Sequence, residues 1–255
     1  MNILKIKFAN DNDVEISLPI EHQYTYEYIS RPYSEKIFRQ INTHLINCGY
    51  IKNNIIDLGA WIGDNTIPWA MNIAGTVYAI DPSEENCKFI QKLQEINRVQ
   101  NVVRIQKVIS NKNTVVSTNH FDLHHCEFVA DDSMPNKIEA YSLDNLFEEN
   151  IITDVGYIHL DVEGMEGLIL EGSTKLIDEY RPIISFEQHL DSDNYGVICK
   201  KLKNKNYIVY LINEILVGCR ADCRNFIALP TETHPENFLK HIASALGECN
   251  RLTLM

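Results

Sequence analysis

Ile55-Ile56-Asp57-Leu58-Gly59-Ala60-Trp61-Ile62-Gly63-Asp64-Asn65 is the stretch on which the fold turns. Residues 54–58 read as a buried strand, and the two glycines after it as a tight turn opening a helix near Asn65. Without a Cβ, Gly59 admits close backbone approach and Gly63 a sharp turn into the helix. Outward from this unit the pattern repeats. Strands are expected at 54–58, 76–80, 102–109, 155–160, 183–187, 207–212 and 226–229, with helices at 65–73, 84–97, 165–180 and 195–203. Gly75 follows the first helix, and Arg181-Pro182 stops the third, because proline forbids continuation. Such alternation predicts an α/β fold: a mostly parallel, seven-stranded sheet with helices on both faces.

The flanks read differently. Residues 1–50 are expected to form an extension: a hairpin from 3–8 and 14–18, then a helical stretch over 24–48 closed by Gly49. Its main segment starts near Pro32 and carries Ile37, Ile41, Leu45 and Cys48 at helical spacing. Residues 51–230 form the main domain, 111–150 an insertion of short strands and a loop, and 231–255 a terminal helix.

Composition narrows the partners. The 255 residues carry a net charge of −12, which argues against the cation-rich phosphate contacts of nucleic-acid binding and against anionic lipid. The apolar runs are strand-sized, and a membrane span needs about 18 residues. Met1 to Lys7 alternates like a strand and has no signal-peptide h-region, so a cytoplasmic location is expected. The seven cysteines are odd in number and irregularly spaced, which suits reduced thiols. Only Cys219 and Cys223 lie close together, flanking an expected hairpin turn, and the reading is that they pack or stay exposed. His120, His124, His125 and Cys126 cluster without a second pair at zinc spacing, so no metal is expected there.

The chemistry gathers at strand ends. A dinucleotide fingerprint needs G-x-G-x-x-G, whereas this turn is D-x-G-x-x-x-G. Asp57 would repel a pyrophosphate but suits the cationic amino group and sulfonium of S-adenosylmethionine. A glycine turn without a ligand is the plainer reading of this motif alone. Val77-Tyr78-Ala79-Ile80-Asp81-Pro82 adds a carboxylate at the tip of the next strand, where it can take both ribose hydroxyls. Ser83 suffices as the N-cap of the helix that follows, so capping does not explain Asp81. Asp161, with Glu163 after it, ends a third strand, and Glu187 and His189 end a fourth on one face. Ligands of open α/β sheets bind outside these carboxyl ends.

These motifs resemble those of the FkbM-type methyltransferase family, which uses S-adenosylmethionine on a Rossmann-like fold. The residues carrying the resemblance are Asp57 to Asp64, Val77 to Pro82, Ser142-Leu143-Asp144-Asn145-Leu146, Leu160 to Glu166 and Ser185 to His189, in the family's order. The similarity covers about 51–230, with Trp61 where many members have Asn and His159 where Lys is frequent. It implies O-methylation of a sugar, glycan, lipopolysaccharide or natural-product hydroxyl.

The expected cofactor contacts are Asp57, Gly59, Ala60, Gly63, Asp64, Asn65, Asp81, Pro82, Ser110 and Asp161. Methyl transfer to an alcohol needs alignment and a proton acceptor. His189 is the expected base, since imidazole titrates nearest working pH. Asp161 or Glu187 would orient or replace it, and Glu163 would hold an acceptor hydroxyl. A divalent ion on Asp161, Glu163 and His189 ranks below the metal-free reaction. An amine acceptor is the rival within the class, disfavoured because Asp161-Val162-Glu163-Gly164 stands where N-methyltransferases carry an Asn/Asp-Pro-Pro-aromatic motif. A cofactor-binding module without catalysis is the rival outside it.

Overall fold

The computed structural model describes residues 2–7, 14–118, 136–191, 194–216, 219–233, 237–240, 242 and 252–255. The chain begins with an antiparallel hairpin, β1 (Ile3–Lys7) and β2 (Glu15–Pro19), followed by α1 (Tyr24–Ser34) and α2 (Lys36–Asn47). The main alternation then runs β3 (Asn54–Leu58), α3 (Thr66–Asn72), β4 (Val77–Ile80), α4 (Glu84–Asn97) and β5 (Val102–Ile105). Next come β6 (Val108–Ile109), β7 (Thr114–Thr118), β8 (Asn136–Tyr141) and α5 (Leu143–Glu148). The second half contains β9 (Val155–Leu160), α6 (Glu166–Glu171), α7 (Thr174–Tyr180), β10 (Ile183–His189), α8 (Asn194–Asn204), β11 (Tyr207–Ile212), β12 (Cys223–Pro230) and β13 (Leu252–Leu254).

Eight strands form the main sheet in the order β13-β11-β12-β10-β9-β3-β4-β5. The run from β10 to β5 is parallel throughout, while β12 pairs antiparallel with both β10 and β11. Alternate strand residues serve opposite faces, as the pleat requires. Ile55, Val77, Ala79 and Tyr157 pack with Phe38, Ile41, Trp69 and Phe89 from α2, α3 and α4. Ile56, Leu58, Ile80 and Ile158 pack with Leu146, Ile169, Ile177 and Ile198 from α5 to α8. This is the doubly wound, Rossmann-like arrangement.

Four details depart from the sequence reading. The strand expected over 102–109 breaks at Gln106-Lys107, so β6 leaves the main sheet and joins β8 and β7 in a three-stranded one. The helix expected over 165–180 breaks at Gly172, where a Cβ would stand 2.5 Å from the Ser110 carbonyl oxygen. The helix over 24–48 breaks at Glu35, and Pro32 lies within the first segment rather than starting the main one. Two side-chain oxygens of Glu214 cap the second segment, accepting from Ile37 N–H at 2.8 Å and Phe38 N–H at 3.0 Å. Finally, the C-terminal segment expected as helix over 231–255 is helical at 237–240 but ends in β13, an eighth strand antiparallel to β11. The His120, His124, His125 and Cys126 cluster lies outside the described residues. Among the described residues no helix is long and apolar enough to cross a membrane, and Cys48, Cys87, Cys199, Cys219 and Cys223 are free.

Candidate active site

β3 lies between β4, which follows it, and β9, which enters on its other side. Strand order reverses here, and this is where open α/β sheets leave a crevice at their carboxyl ends. Gly59 occupies the crevice with φ of +77°, and a Cβ built there would lie 1.8 Å from the Asp161 carbonyl oxygen. The glycine is therefore demanded by the chain leaving β9, a contact that the sequence reading assigned to a ligand. Gly59 and Ala60 also donate their N–H groups to the Ile80 carbonyl, at 3.0 and 3.2 Å. The turn after β3 is thus pinned to both neighbours.

Asp81, at the end of β4, is buried. Its Oδ2 accepts from the Trp61 N–H at 2.9 Å, while Oδ1 accepts from the Ser83 N–H at 2.8 Å and the Asn86 Nδ2 at 3.1 Å. A carboxylate offers about four acceptor positions, so three are in use and one remains at Oδ2. Burial pushes its pKa up to about 6, against the pull of those three donors. Ser83 caps α4 by accepting from the Asn86 N–H, as expected. Beyond Asp81 a cavity of about 580 Å³ is lined by Pro82, Ser83, Gln106, Lys107 and Tyr141, among others. Ser110 is not among its walls: it is buried beside β8, its N–H bonded to the Tyr141 carbonyl at 2.7 Å.

The other expected cofactor contacts are engaged inside the fold. Asp57 is buried, with Oδ2 accepting from the Thr66 hydroxyl and Oδ1 standing 3.0 Å from His159 Nδ1. Phe38 and Trp69 pack around that imidazole at ring distances of 5.2 and 5.4 Å. Asp64 and Asn65 hold Arg39 of α2. Its Nη2 donates to Asp64 Oδ2 at 2.6 Å and to Glu35 Oε2 at 3.0 Å. Nη1 donates to Asn65 Oδ1 at 2.6 Å and to the Asp64 carbonyl at 2.9 Å. Glu35 in turn accepts from Asn225 Nδ2 at 2.8 Å, and the Tyr28 hydroxyl donates to the Gly63 carbonyl at 3.2 Å. A buried cation from the N-terminal helices therefore fixes the glycine turn. None of Arg39, Glu35 or Asn225 stood out in the sequence. The available signal was Glu35 and Arg39 at one-turn spacing, which solvent-exposed helices also show.

The acidic edge is real, and it is more crowded than expected. Asp161 is half-buried at the end of β9, and burial together with Glu187, Glu163, Glu35 and Glu166 pushes its pKa well up. Glu163 is exposed in the turn at φ of +52°. Glu166, missed as a site residue although it lies inside a quoted motif, shapes that turn. Its Oε1 accepts from the Val162 and Gly164 N–H groups at 3.2 and 3.3 Å, and its Oε2 from Gln188 Nε2 at 2.6 Å. Glu187 is pushed up to about 7, first by burial and then by Glu35. Its Oε1 accepts from the Cys223 thiol at 2.7 Å and lies 3.7 Å from the Cys219 sulfur. His189 sits beside the same thiols, with Nδ1 3.5 Å from Asp222 Oδ1. On α1, Tyr24 and Tyr28 are core and Tyr26 is exposed.

A doubly wound sheet with a glycine turn at its switch point and carboxylates on the flanking strand ends is the Rossmann-like architecture of class I methyltransferases. The Methyltransferase FkbM domain matches residues 57–209, and the chain belongs to that family. Among solved structures, methyltransferase FkbM from Methylobacillus flagellatus KT is similar at a TM-score of 0.52 and 17% identity, over 69% of this chain and 43% of that one. The chain thus spans less than half the length of that relative. Magnesium protoporphyrin IX methyltransferase (ChlM) from Synechocystis PCC 6803 with bound SAM gives 0.48 and 13%, over 82% and 85%. Trm5b from Pyrococcus abyssi gives 0.45 and 12%, over 89% and 56%. No curated protein matches the chain.

Proposed function

We propose that this chain is an S-adenosylmethionine-dependent O-methyltransferase acting on a hydroxyl of a sugar, glycan or other small polar acceptor. The observation that carries the reading is the contact of Gly59 with the backbone of Asp161, which brings the cofactor turn and a carboxylate together at the switch point.

The donor set fits the cofactor. Asp81 keeps one acceptor position at Oδ2 for a ribose hydroxyl, so it would hold one hydroxyl rather than the two first expected. Asn86 Oδ1, buried beside it, has no hydrogen-bond donor among the described residues. The cavity beyond Pro82, with Gln106 and Tyr141 in its walls, has room for a nucleobase. Bound S-adenosylmethionine supplies a methyl group already activated on a sulfonium, so the protein's tasks are alignment and proton removal.

Asp161 is the group we assign to the proton. Burial and the neighbouring carboxylates raise its pKa, which strengthens it as a proton acceptor, and its side chain is only half-buried at the end of β9. Glu163, exposed on the adjoining turn, is placed to hold an acceptor hydroxyl. His189, the base expected from the sequence, is the second candidate for this role, with Nδ1 3.5 Å from Asp222 Oδ1 and two thiols nearby. The negative edge also favours a cationic methyl donor over an anionic one.

The test is to incubate the chain with labelled S-adenosylmethionine and a panel of sugars, nucleotide-sugars and amino sugars, and to weigh the products. A gain of one methylene mass on a hydroxyl is expected. Methylation confined to amine acceptors would overturn the oxygen assignment.

A further inference from the structure

A second constellation lies beside the crevice. The antiparallel pairing of β10 with β12 sets His189 directly opposite Cys223. The segment before β12 then brings Cys219 back to the same place. The ligand atoms of His189, Cys219 and Cys223 all lie within 4.8 Å of one another. Glu187 joins them, its Oε1 lying 2.7 Å from the Cys223 sulfur and 3.7 Å from that of Cys219. The sequence hid this group, because the cysteines lie close together in the chain while the histidine and the glutamate come from another strand.

We propose that His189, Cys219 and Cys223 hold a zinc ion, with the Glu187 carboxylate at the fourth position. Zn–S bonds of about 2.3 Å and Zn–N bonds of about 2.0–2.1 Å in a tetrahedron put two sulfurs about 3.8 Å apart and sulfur and nitrogen about 3.5 Å apart. The group already stands within about an ångström of that arrangement. Two thiolates and an imidazole are the donors zinc prefers, and oxygen-seeking ions such as magnesium do not. Asp222, 3.5 Å from His189 Nδ1, supplies the carboxylate–imidazole pairing that metal-bound histidines carry.

The surroundings call for a cation as well. Asp161, Glu163, Glu187, Glu35 and Glu166 act on one another electrostatically at this edge. Arg39 answers Glu35 and Asp64, and Arg220 answers Asp191 and Asp222 at the exposed rim. A dication between Glu187 and the thiols would fasten the Cys219 segment onto the ends of β10 and β12, and so shape the acceptor side of the crevice.

The full chain, prepared without chelator, should contain about one zinc per chain by elemental analysis. After stripping and reloading with cobalt it should show thiolate-to-cobalt charge transfer and the intense visible bands of a tetrahedral site. Cys219→Ser, at an exposed position where folding is not at stake, should weaken zinc binding by more than the roughly 10–100-fold that outer partners are worth. Cys48→Ser should leave it unchanged. A folded chain that neither contains nor takes up zinc would overturn the site, as would full zinc content in Cys219→Ser or a Cys219–Cys223 disulfide in the protein as isolated. Zinc content is read without any methyl acceptor, so its failure is distinguishable from failure of the methyltransferase reading.

Discussion

Lowering the pH should weaken binding of the cofactor's ribose through Asp81. Its carboxyl titrates at about 6 in the folded chain, raised from the usual 3.8 by burial. A ribose hydroxyl donates to the ionised form, so affinity should be full well above pH 6 and fall as the pH drops through it. At pH 5 only about a tenth of Asp81 is ionised, which predicts a loss of about tenfold, or about 1.4 kcal/mol, relative to pH 8. The suitable probe is 5′-methylthioadenosine, which keeps the ribose but has no amino-acid tail to titrate in this window. Calorimetry at pH 5, 6, 7 and 8 reads the effect, and Asp81→Asn should bind more weakly and with no slope. The stability of the protein without ligand should move the other way. Because the folded chain holds the Asp81 proton more tightly than the unfolded one, stability falls as pH rises from about 4 to about 6, by on the order of 3 kcal/mol from this group. A parent affinity that is flat from pH 5 to 8, or an Asp81→Asn protein with the parent's slope, would refute the assignment.

Arg39→Met removes the cation shared by Glu35 and Asp64 and should cost about 3–5 kcal/mol in urea denaturation, because it leaves two buried carboxylates without their counter-charge. A loss under about 1 kcal/mol, the scale of an exposed ion pair, would mean that Arg39 does not hold the glycine turn. Asp161→Asn should lower kcat on the order of 10²–10⁴-fold with cofactor affinity little changed; full turnover would remove it as the base. With a net charge of −12, the chain should show no salt-dependent affinity for duplex DNA or generic RNA in fluorescence polarisation, and a steep salt dependence would contradict the charge argument.

What the sequence disclosed and what it hid follow from the range of the interactions. Strand positions were legible because period-two burial and glycine or proline stops are local. The observed bounds of β3, β9, β11 and α4 coincide with those expected. Breaks imposed from afar were not legible. Gly172 yields to the Ser110 backbone, and Glu35 leaves its helix while bonded to Asn225 and Arg39. The site divides the same way. Placing Asp81 and Asp161 at strand ends on one edge of the sheet needed only the alternation of elements. The inward direction of Asp57, Asp64 and Asn65 depended on partners in α2, α3 and β9 that no spacing announces.

The first fifty residues are consequently part of how the glycine turn is held. Residues from the hairpin and from α1 and α2 share one apolar cluster with the sheet face that carries Ile55 and Tyr157. Polar links cross the same boundary: the Tyr157 hydroxyl donates to Asn42 Oδ1 at 2.8 Å, and Asn97 Oδ1 accepts from the Ser17 N–H at 2.7 Å. Buried polar groups left without partners cost about 1–3 kcal/mol each, so removing the extension would expose or orphan several at once. The turn between β3 and α3 has no cationic residue in its own sequence; Asp64 and Asn65 meet theirs in Arg39. The extension therefore holds the glycine turn through the Arg39 guanidinium, the Tyr28 hydroxyl on the Gly63 carbonyl and the Arg31 guanidinium over the Trp61 ring. Whatever loosens α2 must also loosen the turn that Gly59 and Gly63 make.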